Sequence, residues 1–299
     1  EVCNEGIDNL GKETVLFIFK KVKNFFPYVF VCYVIGLIIM SIYEDMTIKS
    51  YILSIFELLF IKMSGIQTTE VNGVTWYISA MLISMWILYP LLRKYNYNFI
   101  YLGCPLIVLL LGGWLSQNFE HLRTPELWTG FVYKGLIRSI FELSLGCILF
   151  VVAEKINKVN FTSFGRLFIT IVEIIGFLIP FFVCQFVVDN ILSYDFVMLL
   201  FLSLSVMFAF SEKTYEYKLF NNKFFYHLEN LSLPLYLCHV VLRVFILNSS
   251  MFIKFNYYEK IVIFVIISIV LSEILLFVIN FLKKRNFYYE NIKKLFVQV

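Results

Sequence analysis

Long apolar runs, each poor in charge, recur along the whole chain. A helix needs roughly 17–25 mostly apolar residues to cross the hydrocarbon core of a bilayer, and seven runs clearly meet that length. An eighth run is shorter and carries no charged residue. The pattern therefore predicts eight membrane-crossing helices, at 25–42, 74–92, 99–117, 131–153, 167–188, 196–211, 230–247 and 261–282.

The apolar run at 51–63 is different, because it is short and contains Glu57 and Lys62. Such a run is typical of a re-entrant or interfacial segment. If it turns back without crossing, 17 of the 25 Lys and Arg residues fall on one side of the membrane, as the positive-inside rule requires. We therefore expect a multi-pass protein of the cytoplasmic membrane with its basic loops in the cytoplasm. The basic stretches 11–24 and 286–299 are predicted to be interfacial helices.

Composition agrees with an all-α integral membrane protein in a single transmembrane domain over residues 1–299. Hydrophobic residues make up 60% of the chain and charged residues 15%, against about 25% charged in soluble domains. This excludes a soluble globular enzyme, a disordered chain and a small disulfide scaffold. A net charge of +4 is too small to indicate nucleic-acid binding. The cysteines and histidines show no metal-ligand spacing, so no metal site is predicted, and no nucleotide-binding or hydrolase motif is present.

Two charged residues stand four positions apart in the predicted helix 131–153. Arg138 and Glu142 therefore share one helix face and can form an ion pair. Ionisable groups at membrane depth are costly and need a partner or a watery cavity. Two interpretations stay open: a site that binds an anion or a sugar, and an ion pair that only fixes helix packing.

A second polar face lies in the predicted helix 230–247. Ser232, Tyr236 and His239 are spaced so that they fall on the same side of that helix. A neutral imidazole can take a proton from an attacking hydroxyl group. The alternative is a histidine that hydrogen-bonds to a neighbouring helix. Glu273, in the last crossing, has no obvious partner nearby in sequence.

Three stretches carry a family resemblance. They are FKKVKNFFP at 19–27, TWYISA at 75–80 and LSLPLYLCH at 231–239, and Arg138 is followed by Phe141 and Gly146 in a fourth. In this order and spacing, over roughly 12–285, the chain resembles the acyltransferase-3 family of bacterial integral-membrane O-acyltransferases.

The resemblance implies a ten-helix fold, of which this chain carries eight helices. The family places two helices before its basic inner segment, and this chain starts at Glu1, just ahead of that segment. The usual catalytic histidine of the family lies in the first of those helices and has no counterpart here. We therefore expect either an N-terminally truncated protein or a degenerate family member, with His239 as the substitute base.

The resemblance also implies an activity and a set of binding residues. The expected reaction transfers an acyl group, most simply acetyl, from acyl-coenzyme A to a hydroxyl group of a surface polysaccharide or lipid-linked glycan. Lys20, Lys21 and Lys23 would face the polyanionic donor. The expected catalytic residue is His239, and the expected substrate-binding residues are Arg138, Glu142, Trp76, Tyr236 and Ser232.

Two other functions compete with this hypothesis. A permease or flippase for a glycan or lipid would also be a bundle of about eight helices with a few buried charges. A catalytically inactive relative could act in a polysaccharide assembly complex. The lipid bilayer is a partner in each case.

Overall fold

The computed structural model describes residues 9–119, 121–186, 194–215, 217 and 220–297, and their regular structure is helical apart from one isolated bridge between Trp128 and Tyr133. Within these described ranges nine α-helices follow one another: α1 (Leu10–Tyr43), α2 (Ile48–Leu58), α3 (Thr75–Asn98), α4 (Cys104–Asn118), α5 (Lys134–Asn157), α6 (Ser163–Phe186), α7 (Tyr194–Phe210), α8 (Lys223–Asn248) and α9 (Tyr257–Val297).

The helices confirm the predicted multi-helix membrane bundle. Six helical stretches among the described residues are long and apolar enough to cross a membrane. One of them, Thr75–Asn118, spans 44 residues and is interrupted at Asn96, where φ is 50° and ψ is −132°. This interruption separates the two predicted crossings at 74–92 and 99–117. The shortest predicted crossing corresponds to α7, an apolar helix of 17 residues.

The short run near residue 55 forms α2, which has 11 residues. At about 1.5 Å per residue this helix is too short to cross a core about 30 Å thick. Its end is set by Phe60, whose φ is 60°. The N–H of Phe60 donates to the Glu57 carbonyl and the N–H of Ile61 to the Phe56 carbonyl, the bonding pattern of a Schellman motif.

The basic stretches do not form separate helices. The lysines at 20–23 lie inside α1, which continues through Pro27 to Tyr43. The last helix, α9, likewise runs without interruption from the apolar segment to Val297. Both stretches are thus helical, as predicted, over the residues that the structure describes, but each is continuous with a predicted crossing. Residues 298 and 299 of the second stretch lie outside the described residues.

The chain forms two compact units that alternate along the sequence. The first unit takes the described parts of Glu1–Ile18, Met63–Gly65 and Ser79–Asn222, and the second takes those of Phe19–Lys62, Ile66–Ile78 and Lys223–Val299. In the first unit α4 packs on α5, and α7 packs on both α5 and α6. In the second unit α8 packs on α9, and the thiols of Cys32 on α1 and Cys238 on α8 lie 3.5 Å apart.

Candidate functional site

The second unit places His239 on α8 with one ring nitrogen held by its own helix. Its Nδ1 lies 3.3 Å from the carbonyl oxygen of Leu235. Because a carbonyl oxygen can only accept, this hydrogen bond requires the proton on Nδ1. In the neutral imidazole the lone pair is then on Nε2. The contact is compatible with the tautomer that leaves the Nε2 lone pair of the half-buried His239 free to accept a proton.

Tyr236 lies next to His239, with ring centroids 5.9 Å apart. Its hydroxyl donates a hydrogen bond of 2.9 Å to the carbonyl of Val74, just before α3 begins. Trp76 is half-buried in the first turn of that helix, edge-on to Tyr77 at 5.5 Å. The structure thus brings Tyr236 and His239 together and ties Tyr236 to the segment that carries Trp76.

Ser232 shares the sequence spacing of this face but has a local contact. Its Oγ donates to the Glu229 carbonyl at 2.7 Å, and the residue is exposed. Serine hydroxyls often bond backward in this way within a helix. Among the described residues the Ser232 hydroxyl has this bond to its own helix and none to the side chain of Tyr236 or His239.

Glu57 of α2 is a buried polar residue whose role sequence reasoning missed. Its side chain is 1% exposed. The carboxylate accepts the N–H groups of Val71 at 2.6 Å and Asn72 at 2.9 Å, and the Thr75 hydroxyl at 2.6 Å. Asn72 in turn donates from Nδ2 to the Leu237 carbonyl at 2.9 Å. These bonds hold the segment before α3 between α2 and α8.

The pKa of the Glu57 carboxyl is raised by burial. The hydrogen bonds from Thr75, Val71 and Asn72 and the nearby Lys62 act in the opposite direction, but burial dominates. Ser54 and Glu57 are both buried, on one face of α2. The sequence signal for this was the spacing of three positions between two polar residues in an amphipathic helix.

A pocket of about 480 Å³ opens in the same unit, where the end of α1, the segment at 70–73 and α8 meet. Three charged residues, Glu44, Glu70 and Arg243, line it together with apolar side chains. Arg243 follows His239 by four residues, so both lie on one face of α8. The sequence analysis did not assign these three residues to a site.

The first unit contains the ion pair predicted from the spacing in α5. Arg138 Nε donates to Glu142 Oε1 at 2.6 Å, and Nη1 donates to the Leu122 carbonyl at 3.0 Å. The side chains are 27% and 16% exposed. The pair therefore exists, and its cation also binds the backbone of the segment before α5.

Lys134, one turn earlier in α5, is fully buried. Its Nζ donates to the carbonyls of His121 and Arg123 and lies 4.6 Å from the centre of the Phe119 ring. The N–H of Leu122 donates to Asp195 at 2.7 Å. Side chains of two helices thus satisfy the backbone of residues 121–123.

The remaining predicted residues lie in the second unit. Lys20 and Lys23 are exposed on α1 and Lys21 is half-buried. Glu273, for which the sequence shows no obvious partner, forms a hydrogen bond of 2.7 Å with His227, 46 residues away. In the described ranges no group of three or more His, Cys, Asp or Glu side chains is arranged as metal ligands would be.

The apolar helices and the polar groups they carry define a membrane-embedded helical protein. A family model described as an acyltransferase domain matches residues 9–280. The chain belongs to the acyltransferase-3 family, and it is a membrane acyltransferase in the general sense of that family. No curated protein and no solved structure matches the chain.

Proposed function

We propose that this protein transfers an acyl group, most simply acetyl, from acyl-coenzyme A to a hydroxyl group of a surface polysaccharide or lipid-linked glycan. Family membership supports acyl transfer in general. The observation that carries the choice of base is the bond between His239 Nδ1 and the Leu235 carbonyl, because it directs the Nε2 lone pair outward from the helix backbone.

In the proposed reaction, Nε2 of His239 takes the proton of the acceptor hydroxyl group. The acceptor oxygen attacks the thioester carbonyl, the carbon–sulfur bond breaks, and coenzyme A leaves as a thiolate. The imidazolium returns its proton to the thiolate, so an ester and a free thiol are formed. A positioned acid–base group contributes about 10²–10⁴-fold to such a reaction.

We assign one set of residues to the donor, acyl-coenzyme A, and another set to the acceptor glycan. Lys20, Lys21 and Lys23 suit the phosphates of coenzyme A, with the basic end of α1 in the cytoplasm. We assign acceptor binding to Arg138, Glu142, Trp76, Tyr236 and Ser232. Tyr236 has the most direct support, since its ring adjoins that of His239. The proposal treats residues 1–299 as one acyltransferase domain in the cytoplasmic membrane.

The experiment incubates membranes containing the protein and the host's own glycans with acetyl-labelled coenzyme A. His239→Gln is expected to lower labelling of glycan by about 10²–10⁴-fold without loss of folded protein. His227→Gln is the matched control, because it alters a histidine of the same helix that pairs with Glu273. Wild-type transfer by His239→Gln would remove His239 from the mechanism.

A wild-type protein that labels no glycan would overturn the transferase proposal itself. The glycan or lipid permease and the inactive assembly protein would then be the better hypotheses. For the donor, Lys20→Gln with Lys23→Gln is expected to raise the KM for acetyl-coenzyme A while kcat is retained. Lys12→Gln, another exposed lysine of α1, is the matched control.

A further inference from the structure

The pocket of about 480 Å³ in the second unit has a volume within the usual range for ligand sites, about 300–1,000 Å³. We propose that it binds a neutral sugar ring through Glu44, Glu70 and Arg243. This inference rests on the proposed function for the identity of that ring as part of the acceptor glycan.

The charges of the pocket balance one another. Glu70 lies 3.1 Å from Nζ of Lys62, which is 5% exposed behind it. Glu44 and Arg243 supply one further charge of each sign at the pocket wall. The formal sum over these four residues is zero when Lys62, which lies outside the pocket lining, is counted with its partner Glu70, so their net charge favours neither an anion nor a cation. The pocket offers hydrogen-bond acceptors and donors instead, as the hydroxyl groups of a neutral sugar require.

Two of these charged side chains are available to a ligand. In the part of the chain that the structure describes, the side chains of Glu44 and Arg243 form no hydrogen bond or ion pair. Both residues are exposed. The charged residues deeper in the unit differ, since Glu57 is fully occupied by backbone and hydroxyl donors.

The rest of the lining is apolar. Its side chains are those of Ile39, Met40, Val71, Val240, Val241 and Val244. A sugar ring presents C–H groups on its faces and hydroxyl groups at its edge. The pocket matches this division, because the valines and Ile39 can pack against a face while the charged groups bind the edge.

Two glycines give the pocket its shape. A Cβ atom on Gly73 would lie 2.6 Å from Oε1 of Glu70, and one on Gly36 would lie 2.7 Å from Cγ1 of Val71. At both positions a residue larger than glycine would require the neighbouring side chain to move. The Glu70 carboxylate thus lies close to the backbone at Gly73 and 3.1 Å from Nζ of Lys62, and a side chain at position 73 would have to displace it.

The test measures binding to the full chain in nanodiscs by saturation-transfer NMR. The probes are methyl glucoside, which is neutral, methyl glucuronide, which is anionic, and glucosamine, which is cationic. Methyl glucoside is expected to bind more tightly than either charged probe. Its Kd is expected to rise about tenfold in Glu44→Gln and in Arg243→Gln, since each loses a hydrogen bond to a charged group.

Gly73→Ala tests geometry without a change of charge. The new methyl group must displace the Glu70 carboxylate, so a several-fold rise in Kd is expected. The matched controls are Glu229→Gln and Lys254→Gln, which are exposed in the same unit, and Gly113→Ala, whose Cβ would meet nothing within 4 Å. These three should bind methyl glucoside like the wild type.

Three results would overturn the inference: no saturable binding of methyl glucoside, tighter binding of a charged probe, or equal Kd values in the pocket variants and the wild type. The transfer assay separates this inference from the proposed function. If Glu44→Gln and Arg243→Gln transfer acetyl with an unchanged KM for the glycan, the pocket does not bind the acceptor, but the proposed transferase activity stands. If the protein binds methyl glucoside but transfers no acetyl group, the sugar-binding pocket stands and the proposed transferase activity is rejected.

Discussion

Two buried ionisable residues, one in each compact unit, stabilise irregular backbone, one as a hydrogen-bond donor and the other as an acceptor. In the first unit Lys134 donates to the carbonyls of His121 and Arg123. In the second unit Glu57 accepts from the N–H groups of Val71 and Asn72. In an apolar environment a backbone group without a partner is costly. A buried charge in this protein is therefore first of all a partner for a loop.

Two charged residues of the pocket differ from Lys134 and Glu57 in exposure and in bonding. Glu44 and Arg243 are exposed, and among the described residues their side chains have no hydrogen bond or ion pair. Removing a charge that holds a loop should reduce stability, whereas removing one that faces the pocket should reduce ligand binding. The comparison therefore separates buried ionisable residues that bind the backbone from exposed ones that line the pocket.

The largest effect on stability is expected from Glu57→Ala. The substitution leaves the buried N–H groups of Val71 and Asn72 without this acceptor, each worth about 1–3 kcal/mol, whereas the Thr75 hydroxyl can still donate to the Asn72 carbonyl. We expect a loss of about 2–6 kcal/mol, seen as a large drop in Tm of the detergent-solubilised protein. Glu229→Ala removes an exposed carboxylate of the same unit and should melt like the wild type. Equal Tm values for Glu57→Ala and Glu229→Ala would show that the buried Glu57 does not stabilise the segment before α3.

Lys134→Met should have the next largest effect. Methionine keeps most of the buried volume but cannot donate to the carbonyls of His121 and Arg123. A carbonyl tolerates under-satisfaction better than an N–H group, so we expect a smaller loss of about 1–3 kcal/mol. Thermal unfolding checks this against Lys158→Met, an exposed lysine at the end of α5. A gain in stability would show that desolvation of the ammonium group outweighs its bonds.

Tyr236→Phe removes one neutral hydrogen bond, that to the Val74 carbonyl. The expected loss of stability is about 0.5–1.5 kcal/mol. Tyr258→Phe, at an exposed tyrosine of α9, is the control for loss of a hydroxyl group. If Tyr236 also holds the acceptor, the variant should raise the KM for glycan beyond this change in stability. An unchanged KM would restrict Tyr236 to a structural role.

The smallest effect on stability is expected from Glu44→Gln and Arg243→Gln. Exposed residues without partners usually change stability by no more than about 0.5 kcal/mol. Their Tm values should therefore match the wild type, although sugar binding is weakened. A marked drop in Tm would place these residues among the charges that hold the fold.

The sequence by itself determined the features that depend on residues near one another in the chain. Hydropathy over a window about 20 residues long predicts a crossing helix, and each predicted crossing corresponds to an apolar helix. The pairing of Arg138 with Glu142 followed from their spacing of four residues, because one helical turn brings such residues together. The short length of α2 was visible in the same way.

Only the tertiary structure decided which partners several other ionisable side chains have. Glu57 meets residues 14 to 18 positions away, Lys134 meets carbonyls 11 and 13 positions away, and His227 meets Glu273 46 positions away. Each contact depends on the path of a connecting segment and on the rotation of a helix about its own axis. Hydrophobic burial is non-directional, so the apolar pattern that predicts a helix does not specify which group each of its charges will meet.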